Sequence, residues 1–165
     1  MNKIAPAMSA KPEMYLFDGA LVELLLGGEQ TNGAFALLRT TLPPSTLTIA
    51  HYHKNEEETP YVLEGVLQVE TQGRTIELSQ GEMMNLPRNV PHRLGNATSA
   101  VKRVLLLSSP GGFGDFVREV GERVEDPGAQ PAPMTDARSA RLKEAALRYG
   151  IIMVDEAMLK SGLIT

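Results

Sequence analysis

The amino-acid sequence predicts an all-β domain followed by C-terminal helices, and three observations carry that expectation. Between residues 14 and 109, short apolar runs are separated by turn residues every eight to twelve positions, the spacing of a β-sandwich or barrel. The turns themselves are written in residues that suit them: Asp18-Gly19, Gly27-Gly28, Pro43-Pro44-Ser45, Gln72-Gly73 and Pro110-Gly111-Gly112. After Pro110 the texture changes, and apolar residues at 113, 116, 117 and 120 fall at helical spacing.

Taken in order, residues 1–13 are rich in Ala, Pro and Lys and read as an N-terminal arm. Residues 14–109 read as the barrel, and 110–165 as a helical extension packed on it. Runs at 14–17 and 21–26 flank Asp18-Gly19; 34–42 alternates in part, and 47–53 follows the Pro43-Pro44 turn. Runs at 61–63 and 66–70 straddle Glu64-Gly65, which is expected to close a tight hairpin. Shorter runs follow at 75–78 and 83–86, and 101–107 is the most β-prone late segment. Residues 113–124 are expected to be helical and 125–133 a linker. Thr135 or Asp136 can cap a helix over 137–149 that Gly150 ends, before a short apolar run at 151–154.

At 165 residues the chain is large enough for one domain with a real core. A net charge of −4 with no dense Lys/Arg cluster argues against nucleic acid as a partner. The absence of cysteine excludes disulfides, zinc knuckles and thiol nucleophiles, and fits a reducing compartment. No apolar run is long enough for a signal core or a membrane span, so a soluble cytoplasmic protein is expected, with no membrane partner.

All three histidines, His51, His53 and His92, fall in two short motifs. The first is HYHKNEEETPYVLEG at 51–65 and the second GEMMNLPRNVPHRLGN at 81–96. On a strand His51 and His53 point the same way, with Tyr52 opposite, so two imidazoles can grip one ion. The next strand can bring a carboxylate to that side. Glu58 is the choice because it leads directly into the following strand, with Glu57 in reserve; the other members of the acidic run are expected in solvent. His92 follows Pro87 and Pro91, where the chain is stiffened. Three imidazoles and one carboxylate suit a divalent transition metal (Fe, Mn, Ni, Co, Cu or Zn) and leave positions open for water, dioxygen or substrate. Met83 and Met84 read as core, and Phe35, Leu37 and Arg39, on one strand face, are candidates for pocket lining.

The spacing HxH, four residues, Glu, six residues, Gly, then Gly, five residues, Pro, four residues, His, three residues, Asn resembles that of the cupin superfamily. The resemblance implies a double-stranded β-helix (jelly-roll) barrel, with His51, His53, Glu58 and His92 in the places of the metal ligands. More narrowly, ETPYVLEG, the opening YLFDGALVELLLGGEQTNGAFAL and the close ARLKEAALRYGI are similar to the small monocupins called quercetin 2,3-dioxygenase-like. That group implies an oxidoreductase, a metal-dependent dioxygenase acting on a small aromatic or enolisable hydroxy-ketone. Glu58 is then the catalytic base, and a homodimer is expected. The alternatives are an oxygen-independent, metal-assisted isomerase, cyclase or lyase, and a non-catalytic small-molecule-binding cupin. Three positions depart from the usual pattern: Ser45 and Asn89 stand where glycine is usual, and Pro60 where an aromatic is usual. None is a ligand position, so the departures bear on the substrate and not on the metal.

Overall fold

The structure, a computed structural model, describes residues 11–162. It opens with a hairpin, β1 (Glu13–Phe17) and β2 (Ala20–Leu26), closed by Asp18 and Gly19 at φ 49° and 76°. Two successive left-handed residues give the turn twist that a two-residue hairpin needs, which is why Asp-Gly works there. A 3₁₀ turn (Gly28–Gln30) leads to β3 (Ala36–Leu42), the short β4 (Thr46–Leu47), β5 (His51–His53) and β6 (Glu57–Glu64). A second hairpin joins β7 (Val66–Thr71) to β8 (Arg74–Ser79) through Gln72 and Gly73, again both at positive φ. Then come β9 (His92–Asn96), β10 (Lys102–Ser109), α1 (Gly112–Val120), β11 (Glu122–Val124), α2 (Asp136–Tyr149), β12 (Ile151–Met153) and α3 (Glu156–Ser161).

These strands form two antiparallel sheets. One runs β11-β1-β2-β3-β10-β6; the other runs β12-β5-β9-β7-β8, with β4 added on β9. Alternation decides what lies inside: β6 buries Glu58, Pro60 and Val62, and β10 buries Lys102, Val104, Leu106 and Ser108. Leu38, Leu42, Val62, Leu67, Val69, Leu86 and Val104 form one cluster that is all but sealed from solvent. Each such side chain contributes about 1.5–3 kcal/mol by leaving water. On α1, Phe113, Phe116 and Val117 join the same cluster, so its apolar face is used within the domain. Thr135 caps α2 by accepting from Arg138 N at 3.2 Å, and Gly150 ends it in the left-handed conformation.

Several expectations need correction. Glu64-Gly65 closes no hairpin: β6 pairs with β10 in one sheet, whereas β7 pairs with β8 and β9 in the other. Gly65, at φ 87°, turns the chain across from one sheet to its neighbour. The run at 47–53 is broken into β4 and β5. Residues 83–86 form only two isolated bridges, Met83 to Tyr61 and Leu86 to Glu58. The helix expected over 113–124 stops at Val120, and Glu122–Val124 adds a strand to β1. The apolar run near the C-terminus is also a strand, β12, paired with β5. Of the arm expected over 1–13, residues 1–10 lie outside the described residues, and Glu13 already belongs to β1. Among the described residues no helix is long and apolar enough to cross a membrane.

Candidate metal centre

Strand β5 turns His51 and His53 to one face and buries Tyr52 on the other. It is held on both edges: β9 sets His92 opposite His51, while β12 pairs Ile151 with His53 and Met153 with His51. Glu58 comes from β6, across the barrel. The two motifs are stitched together by backbone bonds. Glu58 N donates to Leu86 O (3.1 Å), Leu86 N donates to Glu58 O (2.8 Å), and Asn89 N donates to His53 O (2.8 Å). At Ser45 and Asn89, where glycine is usual, φ is 57° and 60°, so the left-handed turns survive with side chains that tolerate them poorly and well, respectively.

The structure brings together all four residues singled out from the motifs. One ligand atom from each of His51, His53, Glu58 and His92 lies within 4.8 Å of the others, a group that could hold a metal ion. His51 Nε2 is 3.0 Å from His53 Nε2, and Glu58 Oε2 lies 2.9 Å from His92 Nε2 and 3.6 Å from His53 Nε2. Ring nitrogens this close share either a proton or a cation.

The outer ring nitrogens favour the cation. His51 Nδ1 is 2.8 Å from Ile49 O and His92 Nδ1 is 2.9 Å from Val90 O. A carbonyl only accepts, so these Nδ1 atoms carry a proton, and it is the Nε2 atoms that face the centre, where an ion would take their lone pairs. His53 Nδ1 is 3.0 Å from Glu56 Oε2, which gives a carboxylate–histidine pair on the far side of the group. The donor set therefore fits a divalent transition metal.

Burial and neighbouring imidazoles depress the His51 pKa to about 3, so its lone pair is available throughout the neutral range. Burial opposes charge on His53 too, but the carboxylates of Glu56 and Glu58 outweigh it and raise its pKa to about 9. Burial would likewise raise Glu58, yet its bonds to His53 and His92 hold it well below the usual carboxylate range. An ion entering this group must displace a proton from His53 and meets a ready-made carboxylate.

Glu57, the reserve ligand, points away and accepts from Asn85 Nδ2 at 3.2 Å. Glu56 is the residue that the motif reading missed. It was expected in solvent, but it is 4% exposed, because α1 begins directly over it. A Cβ on Gly112 would meet Glu56 Oε1 at 2.6 Å, so a larger residue there would have to push the carboxylate aside. The available signal was its position three residues after His53.

Asn96, the last motif residue, binds no ligand group. Its Nδ2 donates to the carbonyls of Leu42, Pro43 and Ala100, and its Oδ1 accepts from Thr98. It ties the loop between β9 and β10 to the loop between β3 and β4.

Beside the group lies a cavity of about 50 Å³, walled by Ala20, Val22, Leu42, Leu94, Val104, Leu106 and Phe113, with Thr40, Thr48 and Asp18 as further polar members. Phe113, from α1, stands edge-on to His53 with ring centroids 5.5 Å apart. Phe35, Leu37 and Arg39 do not border this cavity. Ala36, Leu38, Thr40 and Leu42 take the inward face of β3, and Arg39 pairs with Glu23 at 2.5 Å on the outside.

An antiparallel barrel of two sheets with three imidazoles and a carboxylate converging inside it defines a class of small metal-site barrels, and comparison with known proteins agrees. Residues 38–108 match the cupin domain family. The quercetin 2,3-dioxygenase of Bacillus subtilis (strain 168) is 29% identical over 117 residues, which cover 71% of this chain and 34% of that protein. The chain thus spans about a third of that relative's length. Among solved structures, a predicted oxalate decarboxylase from Thermotoga maritima superposes with a TM-score of 0.57 at 19% identity, covering 65% of this chain and 99% of that one. A sugar phosphate isomerase of the cupin superfamily from Silicibacter pomeroyi gives 0.50 at 23% identity, covering 56% and 60%. These two likenesses show the fold. Together the matched domain, the relative and the shared fold support a small protein of the cupin superfamily.

Proposed function

We propose that this cupin is a metal-dependent dioxygenase acting on a small, enolisable hydroxy-ketone or small aromatic substrate. The observation that carries the reading is the convergence of three Nε2 atoms and a carboxylate oxygen beside a largely apolar cavity. The likeness to a quercetin 2,3-dioxygenase supports the choice of reaction. A divalent transition metal held by His51, His53, Glu58 and His92 would supply Lewis acidity toward a substrate hydroxyl and redox capacity toward dioxygen.

The chain's own residues supply the rest. The bonds Glu58 makes go through Oε2, so Oε1 is the oxygen available to take the substrate's hydroxyl proton. Ile49 and Val90 carbonyls and the Glu56 carboxylate fix the three rings. The walls of Leu94, Val104, Leu106 and Phe113 exclude water from the reacting centre. A free space of about 50 Å³ is far below the roughly 300–1,000 Å³ typical of drug-sized ligand pockets, which favours a small diketone-like substrate over a flavonol.

The test is oxygen uptake by protein loaded in turn with iron, manganese, nickel, cobalt or copper, against quercetin and a panel of small diketones, with His53→Ala as control. Uptake with a diketone that vanishes in the variant is expected. No uptake across the panel by fully loaded protein refutes the reading, and equal turnover under argon replaces it with oxygen-independent catalysis. A homodimer and a cytoplasmic location belong to the same proposal, on the family resemblance; light scattering that shows a monomer removes the first.

A further inference from the structure

We propose that the outer face of the strands β2-β3-β10-β6 is an interaction surface, and that its partner is a second copy of this chain, seated face to face. The proposal rests on the homodimer reading, which named no surface, and is independent of the metal centre. An antiparallel sheet with one face on the core and the other in water carries polar residues outward. The sheet β12-β5-β9-β7-β8 obeys this. Outward on β7 stand Val66, Gln68 and Glu70, opposite Ser79, Glu77 and Thr75 of β8, so five of the six are polar.

The other sheet breaks the rule. Its inward positions are Leu38, Val62, Val104 and Leu106, so alternation sends Leu37, Leu105, Leu107, Tyr61 and Leu63 outward. Register sets these side by side: Leu107 lies opposite Leu37, Leu105 opposite Tyr61, and Tyr61 opposite Met83. Leu107 is 37% exposed and Met83 59%. The helix α1 does not account for them, because it packs on the inward side. There Phe113, Phe116 and Val117 join the core, and Gly114 lies against Leu24 and Ala36.

Charge, shape and size point to a second copy. Both arginines of the face are already paired, Arg39 with Glu23 at 2.5 Å and Arg103 with Glu64 at 2.6 Å. The face therefore offers no unpaired arginine to select an acidic partner, and the chain's charge of −4 is not concentrated where two copies would meet. Sheets stack face to face at about 10 Å with their side chains interleaved, so a sheet face complements a copy of itself, and a two-fold contact closes. Four strands about 4.8 Å apart, and the 8 residues of β10 at about 3.4 Å each, span roughly 19 by 27 Å. That is on the order of 500 Å² a copy in plan, and two copies reach the roughly 1,000 Å² that a specific interface requires.

The test is sedimentation equilibrium of the full chain, alongside peroxide oxidation of its methionines followed by mass spectrometry. Wild type is expected to be a dimer at micromolar concentration. Leu105→Glu and Leu107→Glu set an unpaired charge in the contact and should each raise the dissociation constant at least about tenfold. Glu77→Lys, exposed on the polar sheet, should leave it unchanged. Oxidation needs no variant: Met83 should react more slowly as rising concentration converts monomer to dimer. Met134, 65% exposed beside Arg138 and Leu142, should keep its rate. A monomeric wild type overturns the proposal and the homodimer with it. A dimer unweakened in both leucine variants, or one in which Met83 reacts as fast as in the monomer, overturns the choice of face alone. Neither result touches the dioxygenase reading, which stands or falls on oxygen uptake.

Discussion

Glu56 offers the sharpest test of how the metal centre is built, because it touches the group only through His53. The bond from His53 Nδ1 to Glu56 Oε2 is 3.0 Å long, and the two side chains are 2% and 4% exposed. Bulk water therefore does not compete for this bond while the carboxylate is in place. A hydrogen bond to a charged, buried partner contributes about 1.5–3 kcal/mol. Converted at about 1.4 kcal/mol per tenfold, that is roughly a 10- to 100-fold change in metal affinity, the range usual for partners that orient a ligating histidine. Glu56→Ala leaves Nδ1 unpaired and should reach the upper end. Glu56→Gln keeps an acceptor but not the charge and should stay near tenfold. Glu57→Gln, one residue along and bonded to Asn85, should change nothing. The assay is zinc or manganese affinity by competition with a chromophoric chelator, checked by elemental analysis. An affinity for Glu56→Ala within about twofold of wild type, while His53→Ala abolishes binding, would refute the reasoning, since the His53 ring would then need no carboxylate behind it.

Three further outcomes follow from the same geometry. Asn96→Ala removes the donor to three loop carbonyls and should destabilise the protein by about 2–4 kcal/mol in chemical denaturation. Asn96→Asp, which sets lone pairs against those carbonyls, should cost more, without altering the metal stoichiometry of the folded fraction. Phe113→Ala should cost about 3–5 kcal/mol and merge the cavities of about 50 and 40 Å³ that the ring borders. Naphthol should then gain on phenol as a ligand of the zinc-loaded protein. Asp18→Asn should raise the melting temperature at neutral pH. A carboxyl whose folded pKa lies above its unfolded value of 3.8 destabilises the fold once pH exceeds both values, and this penalty disappears below 3.8, where both states are protonated. A thermal gain that persists unchanged at pH 3 would mean that the charge is not its source.

The ligand set was legible in the sequence because strand periodicity fixes it: alternate residues share a face, so HxH must present both rings together, and Glu58 follows on the inward parity of β6. Two turns were legible for a similar local reason, since Asp18-Gly19 and Gln72-Gly73 each supply two left-handed residues. What local chemistry could not say is which strands a turn joins. Glu64-Gly65 carries the same signal as a hairpin, but the chain there leaves one sheet for the other, a decision made by partners far along the chain. Parity failed at β3 because Leu37 and Leu38 are both apolar; Arg39, bonded to Glu23 outside, settles the face only once β2 is known to lie beside it. The run Glu56-Glu57-Glu58 was opaque because burial of its first member depends on α1.

That dependence bears on where the site ends. Residues 38–108 carry the family match and all four candidate ligands, yet much of what orients those ligands comes from outside that span. β12 forms the free edge of β5 into backbone pairs at both histidines, so the HxH strand lies between two neighbours instead of fraying at a sheet edge. Gly112 admits the start of α1 against Glu56, and Phe113 places its ring against His53 and between two cavities. Asp18, in the turn of the first hairpin, borders the cavity beside the group. The motifs supply the donor atoms, whereas the flanking segments set their rigidity and their access. Two barrels with the same two motifs and different flanks can therefore share a metal and differ in substrate, which is the physical reason that fold alone does not carry the reaction.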